Sequence, residues 1–206
     1  ERRGLNMDNI MDELESATRT IHLPNSLQFS EWNIDFLTDY IVYVHHAYLK
    51  TAIPETGKLL DHFVEEHKTK YPGLAKLQIV FHELAEEMLP HLKQEEEIIF
   101  PYIRQISHAY SHNESYAGLL VRTLRKPVEN VMLHEHETVS RILHSIRRIT
   151  DNYSLPQNAC VNHRVTFSKL REIDNDLVQH MHLENNIMFP RAIAMEKELL
   201  ERKDSF

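Results

Sequence analysis

Hydrophobic residues along this chain recur every three to four positions and almost nowhere alternate strictly, which is the period of helices packed on one side. Residues 7–19 place Met7, Ile10, Met11 and Leu14 on one face of a short helix, and 21–28, with Pro24 and Asn25, read as a linker. Ser30 stands where a cap is expected for a long helix reaching about residue 66, which Pro54 should kink or interrupt. After the turn at Tyr71-Pro72-Gly73 a second long helix is expected from about 73 to 105, its stripe formed by Leu84, Met88 and Ile98, with bends at Pro90 and Pro101. Residues 107–118 read as a polar loop. A third helix is expected to start near Pro127, with Val128, Met132, Val139, Leu143 and Ile146 on its apolar face. Beyond a loop at 151–159, a fourth runs from about 157 to 200 and carries Leu170, Ile173, Leu177 and Ile187.

The apolar stripes are interrupted by polar residues, and the interruptions repeat. Residues 91–101 read HLKQEEEIIFP and residues 180–190 read HMHLENNIMFP. Both reduce to His-x-x-x-Glu-x-x-Ile-x-Phe-Pro. His91 and Glu95 share a helix face, as do His180 and Glu184, and both pairs fall inside the apolar stripe. Two further His-x-x-x-Glu pairs, His62/Glu66 and His82/Glu86, lack the Ile-x-Phe-Pro tail, and the face of the second is charged. A carboxylate on a buried face must be paired, and a metal ion is one way of pairing it.

The repeat extends beyond the motif. His136 alone interrupts the apolar face of the third helix, 44 residues before His180. Counting 44 or 45 residues back from His91 reaches position 47 or 46, where the chain offers His45 and His46; the spacing leans to His46, and periodicity does not separate the two. Each half is then a helical hairpin with one His on its first helix and His-x-x-x-Glu on its second. Two such hairpins make an all-α four-helix bundle with a pseudo-twofold axis. His134, His144, His108 and His112 fall on charged or solvated positions.

Four imidazoles and two carboxylates suit iron, manganese or zinc rather than calcium or magnesium, and exceed a tetrahedral zinc site. The symmetry suggests two metals bridged by both Glu, with room for an oxo or hydroxo bridge and an open position. Met132, Val139, Leu177 and Leu84 should surround that position with apolar groups, which suits a neutral diatomic. The ferritin-like Glu-x-x-His signature does not occur. Composition narrows the field further. A length of 206 residues suits one domain with a small appendage, the net charge of −8 argues against nucleic acid, and no apolar run is long enough to span a membrane. The single cysteine, Cys160, excludes a disulfide framework and a thiolate-rich metal site within this chain.

These residues resemble the hemerythrin-like domain of the iron–sulfur cluster repair di-iron proteins. The matching runs are Asp39 with His46, His91-x-x-x-Glu95 with its IIFP tail, Val131-Met132 through Glu135-His136-Glu137, Ala159-Cys160, and HMHLENNIMFPRA at 180–192. The resemblance implies iron ligands at His46, His91, Glu95, His136, His180 and Glu184, and so selects His46 over His45. It also implies two non-haem irons, a cytoplasmic stress-response role, damaged iron–sulfur proteins as clients and nitric oxide or oxygen as small-molecule partners, and it leaves a homodimer open. Residues 1–25 resemble the end of a preceding domain and its linker, without that domain's Cys-Cys pair, and 26–206 the bundle. Oxygen-carrying hemerythrins resemble this chain less, because they use five His. The alternative is an oxygen- or nitric-oxide-binding module without repair activity.

Overall fold

The computed structural model describes residues 27–201, with only the backbone described over 124–135. The expected helix at 7–19 and the domain boundary near residue 25 therefore lie outside the described residues, as does the side chain of Met132. Four long helices account for nearly all of the described chain, and no strand occurs among the described residues. Helix α1 comprises Ile34–Tyr40, a π-helical segment Ile41–His46 and Ala47–His67. Helix α2 comprises Leu74–Gln94, a π-helical segment Glu95–Ile99 and Phe100–His112. Helix α3 is Ala117–Ile149, and α4 comprises Val161–Leu183, a π-helical segment Glu184–Met188 and Phe189–Glu201. The short connections make successive helices antiparallel neighbours.

The elements differ from the sequence reading in five places. Asn33, not Ser30, caps α1: its side chain accepts the Asp35 N–H at 2.8 Å, while Ser30 lies in a 3-10 turn spanning Phe29–Glu31. Pro54 sits inside α1 without interrupting it. Residues 107–112 are helical rather than loop, because Ile106, Ser107 and Ala109 are buried, and α2 ends where Asn113 adopts φ 52°. Helix α3 starts at Ala117 and passes through Pro127; burial of Ala117 and Val121 in the core holds its first turns. Helix α4 starts at Val161 rather than near 157, with the Cys160 Sγ accepting the His163 N–H at 3.4 Å as its cap.

The core is divided along the bundle axis. One apolar cluster gathers Leu49, Ile53, Phe81, Leu84, Met88, Val139 and Leu177 with their neighbours. A second gathers Leu37, Ile41, Ile99, Phe100, Val121, Leu183, Met188 and Phe189. In every helix the chain passes from one cluster to the other across a buried polar position: His46 between Ile41 and Leu49, Glu95 between Leu92 and Ile99, His136 between Val121 and Val139, and His180 between Leu177 and Leu183. A thin polar layer thus lies between two apolar slabs, in which an unpaired charge would be expensive.

Candidate metal centre

All six sequence-predicted residues meet in this layer. None exceeds 5% exposure, and His46, Glu95, His180 and Glu184 are at 0%. The π-helical segments lie at the site in three of the four helices. After Glu95 and after Glu184 the backbone bonds reach five residues back rather than four: the Phe100 N–H donates to the Glu95 carbonyl and the Phe189 N–H to that of Glu184. Pro101 and Pro190 follow immediately and have no N–H with which to restore the α register. The Phe-Pro tail of the repeat therefore ends a local widening of the helix directly beyond each carboxylate. The extra residue rotates the following turn, so Ile99 and Met188 face the core while Ile98 is exposed and Ile187 half-buried. The expectation that Ile98 continues the stripe fails for that reason.

Two donor groups form, each with two imidazoles and one oxygen from each carboxylate. In the first, His46 Nε2 and His180 Nε2 are 3.0 Å apart, Glu95 Oε2 lies 3.4 Å from His46 and 3.8 Å from His180, and Glu184 Oε1 is 3.0 Å from His180. In the second, His91 Nε2 and His136 Nε2 are 3.1 Å apart, Glu95 Oε1 lies 3.2 Å from His91 and 3.8 Å from His136, and Glu184 Oε2 is 3.4 Å from His136. Glu95 and Glu184 thus belong to both groups, one oxygen facing each. Donors about 2.1 Å from one ion are about 3.0 Å apart at right angles and about 3.4 Å apart at tetrahedral angles. The spacings fit donors around a common ion.

The protonation chemistry of the bare layer is in conflict, and a cation resolves it. The Nδ1–H of His46 donates to Glu96 Oε1 at 2.8 Å, and that of His136 to Asn185 Oδ1 at 2.8 Å, so each Nε2 presents its lone pair inward. None of the four carboxylate oxygens of Glu95 and Glu184 has a well-formed hydrogen bond, although all are buried. Burial opposes ionisation of Glu95, but the imidazoles of His136, His46 and His91 outweigh it and hold its carboxyl well below the usual range. Burial, then the neighbouring Glu95 charge, pushes Glu184 well above it. Burial takes His180 down to about 3. Without a cation only one of the two carboxylates is readily charged, whereas a divalent ion in each group favours the anionic form of both. Four imidazole nitrogens and four carboxylate oxygens are the donor types of iron, manganese or zinc, so the residues fit the metals expected from the sequence.

Of the remaining histidines, His45 is also buried, but its Nδ1 lies 3.0 Å from Asp176 Oδ1 and its Nε2 has no partner. His82 pairs with Asp61 at 2.8 Å and His62 with Glu66 at 3.3 Å, all on the surface as expected. His182 is exposed and bonded to Asn186, and His108 and His112 stack at the end of α2, outside the centre. The sequence reading missed Glu96, Asn185 and Asp176 behind the centre, and it named His45 only as the alternative to His46. Glu96 and Asn185 occupy the same place in the two copies of the motif, directly after the shared carboxylate. Asp176 stands one helical turn before His180, and those positions were the available signals.

The chain matches the family described as Hemerythrin HHE cation binding domain over residues 37–192. It belongs to that family. Among its relatives is the iron-sulfur cluster repair protein YtfE of Edwardsiella ictaluri, 34% identical over 173 residues, covering 81% of this chain and 71% of that protein. The repair protein ScdA of Staphylococcus epidermidis is 27% identical over 160 residues, 78% of this chain and 67% of the relative. YtfE of an Enterobacter species is 29% identical over 198 residues, covering 95% and 81%. The hemerythrin HHE match spans the whole polar layer, from before His46 to beyond Glu184. Among the described residues no helix is long and apolar enough to cross a membrane.

Proposed function

We propose that this chain is a cytoplasmic non-haem di-iron protein that repairs or protects iron–sulfur clusters damaged by oxidative or nitrosative stress. The observation that carries this reading is the sharing of Glu95 and Glu184 between two buried donor groups. Its relatives' names as iron–sulfur cluster repair proteins support the role. In this reading His46 and His180 would hold one iron and His91 and His136 the other, with Glu95 and Glu184 each offering one oxygen to either side. Iron in such a centre supplies electron exchange and affinity for small diatomics such as nitric oxide and oxygen.

The chain's own residues set the conditions. The π-helical widening in α2 and α4 follows immediately on Glu95 and Glu184, whose oxygens divide between the groups. The hydrogen bonds from His46 and His136 to Glu96 and Asn185 fix which nitrogen of each ring points inward. The apolar slabs exclude charged groups from above and below the layer, with Leu84, Val139 and Leu177 among the buried residues of one slab. Glu184, which burial and the Glu95 charge keep protonated, would give up its proton on metal binding, so uptake and release of iron would couple to proton exchange. Clients are damaged iron–sulfur proteins, served by iron delivery or by reaction with nitric oxide.

The test is anaerobic loading with ferrous iron, a metal count, and incubation with an iron–sulfur enzyme inactivated by nitric oxide. About two irons per chain are expected from the two donor groups, with activity returned to the damaged enzyme. One iron per chain overturns the di-iron reading. Two irons without recovery of the enzyme overturns the repair role and leaves a binding or sensing module.

A further inference from the structure

The polar layer is closed to a large electron carrier, since none of its six residues exceeds 5% exposure. Any reaction that leaves ferric iron there takes one electron per iron to restore the ferrous state. A carrier at the surface must send that electron through protein. Electron transfer weakens steeply with the gap to be crossed, and packed aromatic rings, with their delocalised electrons, shorten the gap. A line of such rings runs from the surface to the centre. Phe36 is 56% exposed and packs on Trp32, ring centres 4.8 Å apart. Trp32 meets Tyr40 edge to face at 5.3 Å, and Tyr40 meets His45 edge to face at 5.5 Å. The His45 ring lies 6.0 Å from that of His180, whose Nε2 belongs to the first donor group. Each spacing falls within about 4.5–7 Å, the range of aromatic rings in contact.

The backbone makes this line continuous. Tyr40 and His45 are five residues apart, which in an α-helix would point them about 140° away from each other. The π-helical segment Ile41–His46 has a wider turn, in which the Ala47 N–H donates to the Val42 carbonyl five residues back, and it brings the two rings together. Contacts from α4 hold the line in place. Arg191 Nη1 donates to the Trp32 carbonyl at 2.8 Å, and the His45 Nδ1–H donates to Asp176 Oδ1 at 3.0 Å. The rings packed on His46 and His136, by contrast, are Phe100 and Phe189, which lie inside the bundle at 2% and 4% exposure.

We infer that Trp32, Tyr40 and His45 form the path by which electrons enter the centre from a reduced flavin at the Phe36–Trp32 end. An exposed aromatic edge suits the flat ring system of a flavin, which can give up its electrons singly. In each transfer the flavin loses one electron and one ferric ion becomes ferrous. The three side chains only bridge the gap, so they lose neither an electron nor a proton. This inference rests on the di-iron reading above and adds the source of its electrons.

The experiment mixes the oxidised, iron-loaded full chain anaerobically with photoreduced flavin mononucleotide and follows the loss of ferric absorbance by stopped flow. Iron content and midpoint potential are measured on the same preparations. Tyr40→Leu and Trp32→Leu should each slow reduction several-fold at the parent's iron content and potential. Tyr40→Phe, which keeps the ring, should be reduced at the parent rate. Residues in series act as a unit, so the double variant should be no slower than the slower single one. Parent rates in both Leu variants overturn the inference and leave the di-iron reading standing, whereas a parent chain that binds no iron overturns both. Slowing by Tyr40→Phe equal to that by Tyr40→Leu overturns bridging by the ring. A slowed rate that comes with a shifted potential assigns the effect to packing around His180 and also overturns the path. Should Tyr40→Leu fail to fold, Trp32→Leu decides alone: a parent rate in that variant overturns the inference.

Discussion

Glu95 offers the sharpest test of the shared-carboxylate geometry, because it alone contributes from α2 to both groups while His46 contributes to one. Glu95→Gln keeps the size and shape of the side chain and removes the charge. In the metal-free chain this substitution should itself cost some stability, since it removes a charge that the imidazoles of His136, His46 and His91 favour, so the readout is the metal-induced change within each variant. In the loaded chain both positions lose an anionic donor. A ligand at 100 times its Kd stabilises the native state by about 2.7 kcal/mol, so two independent positions give about 5 kcal/mol. At about 2–4 °C per kcal/mol for a chain of this size, loading should raise the Tm of the parent protein by roughly 10–20 °C. His46→Ala should keep about half of that rise, through the His91/His136 position. Glu95→Gln should keep almost none. The assay is thermal unfolding by circular dichroism with and without ferrous iron under anaerobic conditions, with metal counts on the same samples. If Glu95→Gln retains as much of the metal-induced rise as His46→Ala, Glu95 does not serve both positions and the bridging argument fails.

Three other outcomes are expected. His46→Ala and His180→Ala should each lower metal content, whereas His182→Ala, at an exposed residue bonded to Asn186, should leave it unchanged; metal analysis of the three purified variants checks this. Asp174, whose carboxylate takes Arg147 in a two-pronged pair and the Tyr153 hydroxyl at 2.7 Å, anchors the α3–α4 loop where Tyr153 adopts φ 62°. Asp174→Asn should cost about 1.5–3 kcal/mol, seen as a lowered urea midpoint in the metal-free protein; a midpoint equal to the parent's would refute the anchoring role. The reduced, loaded protein should bind nitric oxide and be oxidised by oxygen without reversible binding; return of the reduced spectrum on removing oxygen, with no reductant added, would contradict this.

The helices and the six residues of the polar layer were legible in the sequence because both are written in spacing. Apolar periodicity of 3.6 marks a helix wherever it occurs, and a polar pair on a buried face, repeated with the same tail, stands out without any knowledge of neighbours. Other features depended on contacts between segments far apart in the chain. His45 and His46 are adjacent residues on an apolar helix, and only packing against α2 and α4 turns one to Glu95 and the other to Asp176. Ile98 fits the α-helical stripe, yet the widened turn after Glu95 puts Ile99 in the core instead, an outcome that simple periodicity cannot register. The 107–112 segment is too polar to read as a buried helix, and it is helical because Ile106 and Ala109 find an apolar slab to cover. The hydrogen bonds behind two of the histidines are of the same kind. Glu96 and Asn185 are visible as a difference between two copies of a motif, but that each one accepts a hydrogen bond from a histidine of a different helix, about 50 residues away, is decided by the tertiary structure alone.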